Sequence, residues 1–184
     1  MAITMRVGSI LLALAVTMSA VACTTTPAPS PTITSVSPTP SPTVTTMSPA
    51  EQDLENAKQA VIDLWAVVDR LTNDTEASLQ DLDTVATGNA LTLFQQNLVK
   101  YRAAGWTGSG SSVVEDPRAE SSGMDAQGRS RWTVTACVDG SNTTLLDGGG
   151  RSVQGPPYRI NHKATVEKHA SAFLVSEDEA VGTC

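Results

Sequence analysis

Apolar residues recur at steps of three and four positions between residues 48 and 104, which is the spacing of one helix face. This part of the chain opens with Ser48-Pro49-Ala50-Glu51. Here the serine is a good N-cap, the proline suits the first helical position, and the glutamate can close a capping box. We predict an amphipathic helix that buries one stripe against another element. The stripe contains Leu54, Ala57, Val61, Leu64, Trp65, Val68 and Leu71.

Two further helical segments are predicted before the pattern changes. The first is short and covers Glu76 to Leu82. The second extends from Asn89 to Ala104, and Gly105 stands where a C-cap glycine is expected. The apolar residues predicted for its buried face are Leu91, Phe94, Leu98 and Tyr101.

After Gly105 the apolar period falls from about 3.6 to two, which is typical of strands. Within residues 131–139 the apolar positions alternate with mostly polar ones, which predicts an antiparallel strand covered on one face. Further strands are predicted at residues 111–120, 158–168, 172–176 and 180–184, the second and third of these joined in a hairpin. The predicted fold class is therefore α+β, with N-terminal helices packed on a curved antiparallel sheet.

Residues 1–22 have the features of a signal peptide. One cation, Arg6, precedes an apolar run that leads to small residues in the expected cleavage region. The run covers residues 7–22, which is shorter than the roughly 20 residues that span a bilayer. A retained transmembrane helix is therefore the weaker interpretation.

Cys23 stands where a bacterial lipoprotein is cut and acylated, for example with palmitate. The residues before it are Ala20-Val21-Ala22, so alanine occupies the first position, where leucine is usual. These residues also fit the A-x-A pattern of ordinary secretory cleavage, which would release a soluble protein with a free thiol. The three cysteines favour lipidation, because an acylated Cys23 leaves Cys137 and Cys184 able to pair in an oxidising compartment.

Residues 23–49 differ in composition from the rest of the chain. Of the 26 residues from 24 to 49, 21 are Thr, Ser or Pro, and none is charged. Such a segment cannot bury a core, and its prolines favour extended polyproline II structure. We predict a disordered stalk that holds the following domain away from the membrane.

The folded domain is predicted to cover residues 50–184. It contains all 19 acidic residues and, without Arg6, 11 basic ones, which leaves a net charge of −8. A negative domain disfavours nucleic acid and anionic lipid headgroups as partners. We therefore expect the acyl chain on Cys23 to hold the protein on the extracytoplasmic face of the cell membrane.

Candidate chemistry in the domain centres on one histidine. His162 is the polar residue that interrupts the apolar side of residues 158–166, so its side chain should face the core or a pocket. An acid–base role would require a carboxylate or a substrate within hydrogen-bond reach. His169 falls in a predicted turn and is expected to be solvated. The two histidines have no cysteine or acidic cluster at ligand spacing, so neither a metal nor a cofactor is predicted.

Two other motifs are interpreted as structural. Asp147-Gly148-Gly149-Gly150 is followed by no Lys-Ser/Thr pair, and it is predicted to be a turn. Glu177-Asp178-Glu179 is interpreted as solvated surface, because consecutive residues on a turn seldom converge on one ion. No Gly-x-Ser-x-Gly motif occurs, and no catalytic residue is assigned.

The order of elements resembles a known family. Helices come first, and they are followed by Thr133-Val134-Thr135-Ala136-Cys137-Val138-Asp139, a long hairpin and a terminal Gly182-Thr183-Cys184. This layout, over residues 50–184, is similar to the NTF2-like, or SnoaL-like, domains of actinobacterial envelope lipoproteins. The resemblance implies a cone-shaped fold in which a bent sheet and helices enclose a pocket, and it implies a bond between Cys137 and Cys184.

The residues expected to border such a pocket are His162, Tyr158 and Trp132. Many domains of this superfamily lack enzymatic activity, so the fold does not decide the function. We favour a non-catalytic domain that binds an envelope protein, a glycan or a small ligand. One alternative is a pocket enzyme in which His162 is the acid or base. Another is a phage or prophage lipoprotein that blocks superinfection.

Overall fold

The computed structural model describes residues 47–155 and 158–184, which form an α+β domain. The helices are α1 (Pro49–Asn73), a 3-10 helix (Leu79–Thr84) and α2 (Gly88–Ala103). The strands are β1 (Thr107–Ser109), β2 (Val113–Met124), β3 (Ser130–Asp139), β4 (Thr144–Leu146), β5 (Arg159–His169) and β6 (Ala172–Thr183). The predicted signal peptide, Cys23 and the stalk as far as residue 46 lie outside the described residues.

Helix α1 begins at the predicted capping box. The Ser48 hydroxyl accepts a hydrogen bond from the Glu51 amide at 3.3 Å, and the Glu51 carboxylate accepts one from the Ser48 amide at 2.8 Å. Four residues of the predicted stripe are buried, with Ala57 and Leu64 fully inaccessible to solvent, and Leu54, Trp65 and Val68 are partly buried against the same core. The stripe extends over residues 54–71, so most of the 25-residue helix packs on the rest of the domain.

Strands β2, β3, β5 and β6 form one antiparallel sheet in the order β2-β3-β5-β6. The inner face of the sheet packs against the helices, and its central apolar residues Val134 and Val166 are almost fully buried. The helices-first layout and the antiparallel sheet are therefore confirmed. A second sheet, in which β1 pairs with β4, contains only three residues in each strand and was not predicted.

Three predicted elements differ from the structure. The helix expected at residues 76–82 is a 3-10 helix that begins later, at Leu79, after an N-cap at Ser78. The strands expected at residues 172–176 and 180–184 are one continuous strand, β6, with two irregularities in its pairing to β5. These irregularities change which side of the strand faces inward, so the apolar alternation in the sequence appeared to be broken.

Polar contacts fix α1 to the sheet near both of its ends. Near its start, Asp53 accepts two hydrogen bonds from Lys168 of β5, each 2.9 Å long. Near its end, Asp69 accepts a hydrogen bond from the Ser112 amide at 2.6 Å. The side-chain amide of Asn73 donates a hydrogen bond to the backbone carbonyl of Gly110 at 2.7 Å. Helix α1 is thus held at both ends as well as along its apolar stripe.

A disulfide joins Cys137 of β3 to Cys184, with 6.0 Å between the two Cα atoms. In the sheet register Cys137 lies opposite Asn161 of β5, and Asn161 lies opposite Gly182 of β6. The bond therefore crosses β5 and fastens the end of β6 to β3. It closes a loop of 47 residues, which corresponds to about 4 kcal/mol of stabilisation on the chain-entropy model.

The sheet face opposite the helices is polar. Arg159 binds Asp139 at 2.6 Å and also pairs with Glu115, so one cation links three strands.

Within residues 47–155 and 158–184, no helix has the length and apolar character needed to cross a membrane.

Candidate functional site

A cavity of about 450 Å³ lies between the C-terminal half of α1 and one end of the sheet. The small sheet of β1 and β4, the residues just before β5, and Tyr101 of α2 with the nearby Trp106 form its remaining walls. Its described lining consists of Trp65, Val68, Asp69, Thr72, Asn73, Tyr101, Trp106, Gly108, Ser109, Ser112, Val138, Gly140, Thr143, Thr144, Leu145, Val153, Gln154, Gly155, Tyr158, Ile160 and His162. The volume is in the usual range for small-molecule sites.

Helix α1 contributes five lining residues, and four of them share one helix face because of its periodicity. Trp65, Val68, Asp69 and Thr72 follow one another at steps of three, one and three, which places them on one helix face. The same face continues the apolar stripe that packs on the sheet. The cavity therefore begins where this stripe gives way to mixed apolar and polar residues.

His162 projects from β5 into this part of the domain and is 8% exposed. Its Nδ1 lies 2.9 Å from Oδ2 of Asp178 in β6. Because a carboxylate only accepts hydrogen bonds, this contact assigns the proton to Nδ1. In the neutral imidazole, Nε2 then carries the lone pair. Within the described residues Nε2 has no hydrogen-bond partner, so it is the nitrogen that a ligand could reach.

Asp178 is the buried partner that holds the His162 ring. Its side chain is only 4% exposed, and its Oδ1 has no hydrogen-bond partner among the residues that the structure describes. Trp65 contacts the other side of the ring, with 4.9 Å between the ring centroids in an edge-on arrangement. The imidazole is therefore fixed by one hydrogen bond and one aromatic contact.

Asp69 is the carboxylate in the cavity wall. Its two oxygens accept hydrogen bonds from the amide and the hydroxyl of Ser112, at 2.6 and 3.0 Å. Burial raises the pKa of the Asp69 carboxyl above its ordinary value, and the two hydrogen bonds from Ser112 oppose that shift without cancelling it. No lysine or arginine belongs to the part of the lining that is described.

Four aromatic residues border the cavity. Tyr101 and Trp106 stack on each other, with 5.4 Å between the ring centroids. Trp65 lies beside His162, and Tyr158 is 41% exposed. Ring surfaces therefore supply a large part of the apolar wall.

The structure places two of the three predicted pocket residues at this site. His162 and Tyr158 line the cavity, whereas Trp132 does not belong to its described lining. Trp132 is 5% exposed and packs in the core, with its ring centroid 5.2 Å from that of Phe173. The reason is its position along β3, where it pairs with Val166, far from the strand end that borders the cavity.

Other predictions for individual residues had mixed outcomes. The turn predicted at residues 147–150 is present, and Asp147 accepts hydrogen bonds from Gly149 and Arg151 within it. His169 is less solvated than expected, because its Nε2 lies 3.2 Å from the buried carboxylate of Glu167. In the described parts of the chain, no group of three or more His, Cys, Asp or Glu side chains could hold a metal ion.

Sequence reasoning missed Asp178 and Asp69. Residues 177–179 are predicted to be solvated turn surface, but they belong to β6, and only Glu177 and Glu179 are exposed as expected. Ser176 is the extra residue in an irregular pairing, so Asp178, and not Glu177, lies opposite Ala164 and faces inward. Nothing in the sequence marks this irregularity. Asp69 could have been noticed, because it lies four residues after Trp65 on the same helix face.

A second depression, of about 460 Å³, lies at the polar face of the sheet. It is lined largely by charged and hydroxyl side chains, which include Arg131, Thr165 and Glu177. These groups already engage one another, since Thr165 donates to Glu177 at 3.1 Å and Arg131 lies 3.9 Å from the same carboxylate. The cavity at His162 is therefore the better candidate for a ligand site.

No protein-family model and no curated protein matches the chain. Among solved structures, the crystal structure of the intermembrane space region of chloroplast protein ARC6 is similar, with a TM-score of 0.54 and 13% sequence identity. The match covers 71% of this chain and 98% of that chain. At this identity the likeness concerns the fold alone.

Replacing Asp69 by asparagine tests the cost of burying its charge. Because the folded-state pKa is raised, the folded protein binds the proton more readily than the unfolded chain. The free energy of unfolding should therefore fall as pH rises from the unfolded pKa to the raised folded one. In Asp69→Asn this fall should be absent, so the variant gains stability relative to the wild type across that window. Urea denaturation at closely spaced pH values measures the difference.

Asp63→Asn is the matched control, because Asp63 is an exposed carboxylate on the same helix and the change in net charge is the same. It should leave the pH dependence in this window close to that of the wild type. Parallel profiles for the wild type and Asp69→Asn would contradict the assignment.

Proposed function

We propose that the protein is a bacterial envelope lipoprotein whose α+β domain binds a ligand in the cavity at His162 without converting it. The domain is proposed to be of the NTF2-like type. Support for that assignment comes from the helices-first layout, the antiparallel sheet and a cavity between helix and sheet. On this proposal the stalk presents the cavity at a distance from the membrane.

The observation that carries the binding proposal is the composition of the cavity wall. Apolar and aromatic side chains make up much of it, and a small number of polar groups converge on the same space. This combination is typical of sites that bind small molecules through apolar contact and select them through a few hydrogen bonds. His162 is the polar group with the best-defined orientation, because Asp178 fixes its ring.

The proposed location depends on sequence features and on the disulfide. Residues 1–22 have the pattern of a signal peptide, and Cys23 follows them at the position where a lipoprotein is acylated. The disulfide between Cys137 and Cys184 suits an exported protein, because such bonds persist in oxidising compartments. With that pair formed, Cys23 is the remaining cysteine, and lipidation accounts for it.

Intact-mass analysis of the membrane fraction tests the anchor. The wild-type protein should begin at Cys23, carry a diacylglyceryl mass, and lack one hydrogen at each of Cys137 and Cys184. Cys23→Ser should lose the lipid mass and leave the membrane fraction while it retains the disulfide. A mature wild-type protein that is soluble and free of lipid would overturn the anchor but not the binding proposal.

The three tryptophans of the chain provide a test of the cavity. Trp65 and Trp106 line it, whereas Trp132 packs in the core and serves as an internal control. In the chain from residue 23 onward, carrying Cys23→Ser, we would titrate a fragment library of mixed charge and follow the indole N–H signals by NMR. Binding fragments should shift the signals of Trp65 and Trp106 and leave that of Trp132 unchanged.

Tyr158→Ala should weaken the binding of the fragments by about two- to twelvefold, since an aromatic contact is worth roughly 0.5–1.5 kcal/mol. Met124→Ala is the matched control, because Met124 is 73% exposed and does not belong to the cavity lining. Failure of every fragment to shift Trp65 and Trp106, or equal shifts of all three indoles, would count against binding at this site.

The pairing of His162 with Asp178 favours a second candidate function, that of a pocket enzyme. A carboxylate 2.9 Å from Nδ1 orients the ring and would stabilise the imidazolium that forms when Nε2 accepts a proton. In a screen for general acid–base activities, turnover should be lost in both His162→Gln and Asp178→Asn. It should persist in His169→Gln. Ligand binding without turnover in the wild type would favour the non-catalytic proposal.

A further inference from the structure

We propose that the cavity binds a small organic cation with an apolar body, because its described wall combines aromatic rings with a half-buried carboxylate and contains no basic side chain other than His162. This inference rests on the proposed function, which requires only that the cavity binds a ligand. It adds the charge and the chemical class of that ligand.

The balance of charge around the cavity favours a cationic ligand. Asp69 lies in the wall, and Asp178 lies one hydrogen bond behind His162. Neither carboxylate forms a salt bridge with lysine or arginine within residues 47–155 and 158–184. A cation in the cavity would supply the missing opposite charge at short range, where the low dielectric makes the attraction strong.

The state of Asp69 supports this argument. Burial raises the pKa of its carboxyl, which means that the charged form lacks compensation in the cavity as it stands. The hydrogen bonds from Ser112 use only part of the capacity of the two carboxylate oxygens. Asp69 can therefore face a cation without breaking its link to β2.

The aromatic residues of the cavity wall also favour a cationic ligand. Ring faces carry negative electrostatic potential, and Trp and Tyr are the best partners for cations, especially where water is excluded. Trp65, Tyr101, Trp106 and Tyr158 all border the cavity. Apolar side chains such as Val68 and Ile160 also line the cavity and would contact the uncharged body of the ligand.

The same features disfavour anionic ligands. Proteins bind carboxylates and phosphates mainly through arginine and lysine side chains or through helix N-termini. The described lining contains no arginine or lysine. The net charge of −8 on residues 50–184 would also lower the local concentration of anions. A hydroxyl or an N–H on the ligand would find an acceptor in Nε2 of His162.

Three probes of nearly the same shape separate charge from shape. They are meta-hydroxyphenyltrimethylammonium, its neutral isostere meta-tert-butylphenol, and the anion meta-tert-butylbenzoate. Each is titrated into the chain from residue 23 onward carrying Cys23→Ser, and the indole signals of Trp65 and Trp106 report binding. The cation should bind about tenfold more tightly than the neutral isostere, as expected for a desolvated cation–π contact. The anion should bind most weakly.

Charge variants on α1 provide the matched controls. Asp69→Asn keeps one acceptor oxygen for the Ser112 amide, can donate from Nδ2 to the Ser112 hydroxyl, and removes the charge. It should reduce the preference for the cation by about threefold or more. Asp63→Asn changes the net charge equally on the exposed side of the helix and should leave the preference unchanged. A loss of preference in both variants would indicate the field of the whole domain and would overturn the assignment to Asp69.

Equal or tighter binding of the neutral isostere or of the anion would overturn the proposal. Absence of any response to the cation at Trp65 and Trp106 would overturn it too. The proposed function would then still be decided by the fragment titration, which contains neutral and anionic compounds and does not depend on the charge of the ligand.

Discussion

Helix α1 packs across the inner face of the sheet, and this packing determines both the core and the position of the cavity. Burial of its apolar face supplies five of the fifteen buried residues of the core cluster, and contacts at Asp53 and Asp69 fix the two ends of the helix. One face of α1 packs on the sheet, and the end of the helix is bonded to Gly110 and Ser112, just before β2. The last turns of α1 therefore border one end of the sheet. The cavity forms there, closed by the small sheet and by the residues before β5.

This placement explains why His162 has a fixed orientation in the cavity while Tyr158 is more exposed. His162 is held by Asp178 on the neighbouring strand and by Trp65 of α1, so its orientation depends on the same packing that stabilises the fold. Tyr158 is much more exposed and is not held in the same way. Substitutions of Tyr158 should therefore change ligand binding with little effect on the stability of the fold, whereas substitutions of Asp178 should change both.

The sequence predicted the features that follow from periodicity and capping. Helix α1, its start at Ser48 and the inward face of β3 depend on local signals that a single chain displays clearly. The inward position of Asp178 depends on one extra residue, Ser176, in a strand pairing, and the small sheet depends on contacts between distant short segments. Such features arise from tertiary packing, which explains why the carboxylate partner of His162 was not recognised.

Intermolecular NOEs in a complex with any fragment that binds test most directly whether the ligand occupies the cavity between α1 and the sheet. We expect NOEs from the ligand to the methyl groups of Val138 and Ile160, which line this cavity. NOEs only to the methyl groups of Thr133 and Thr165, in the depression on the polar face, would contradict binding in the cavity.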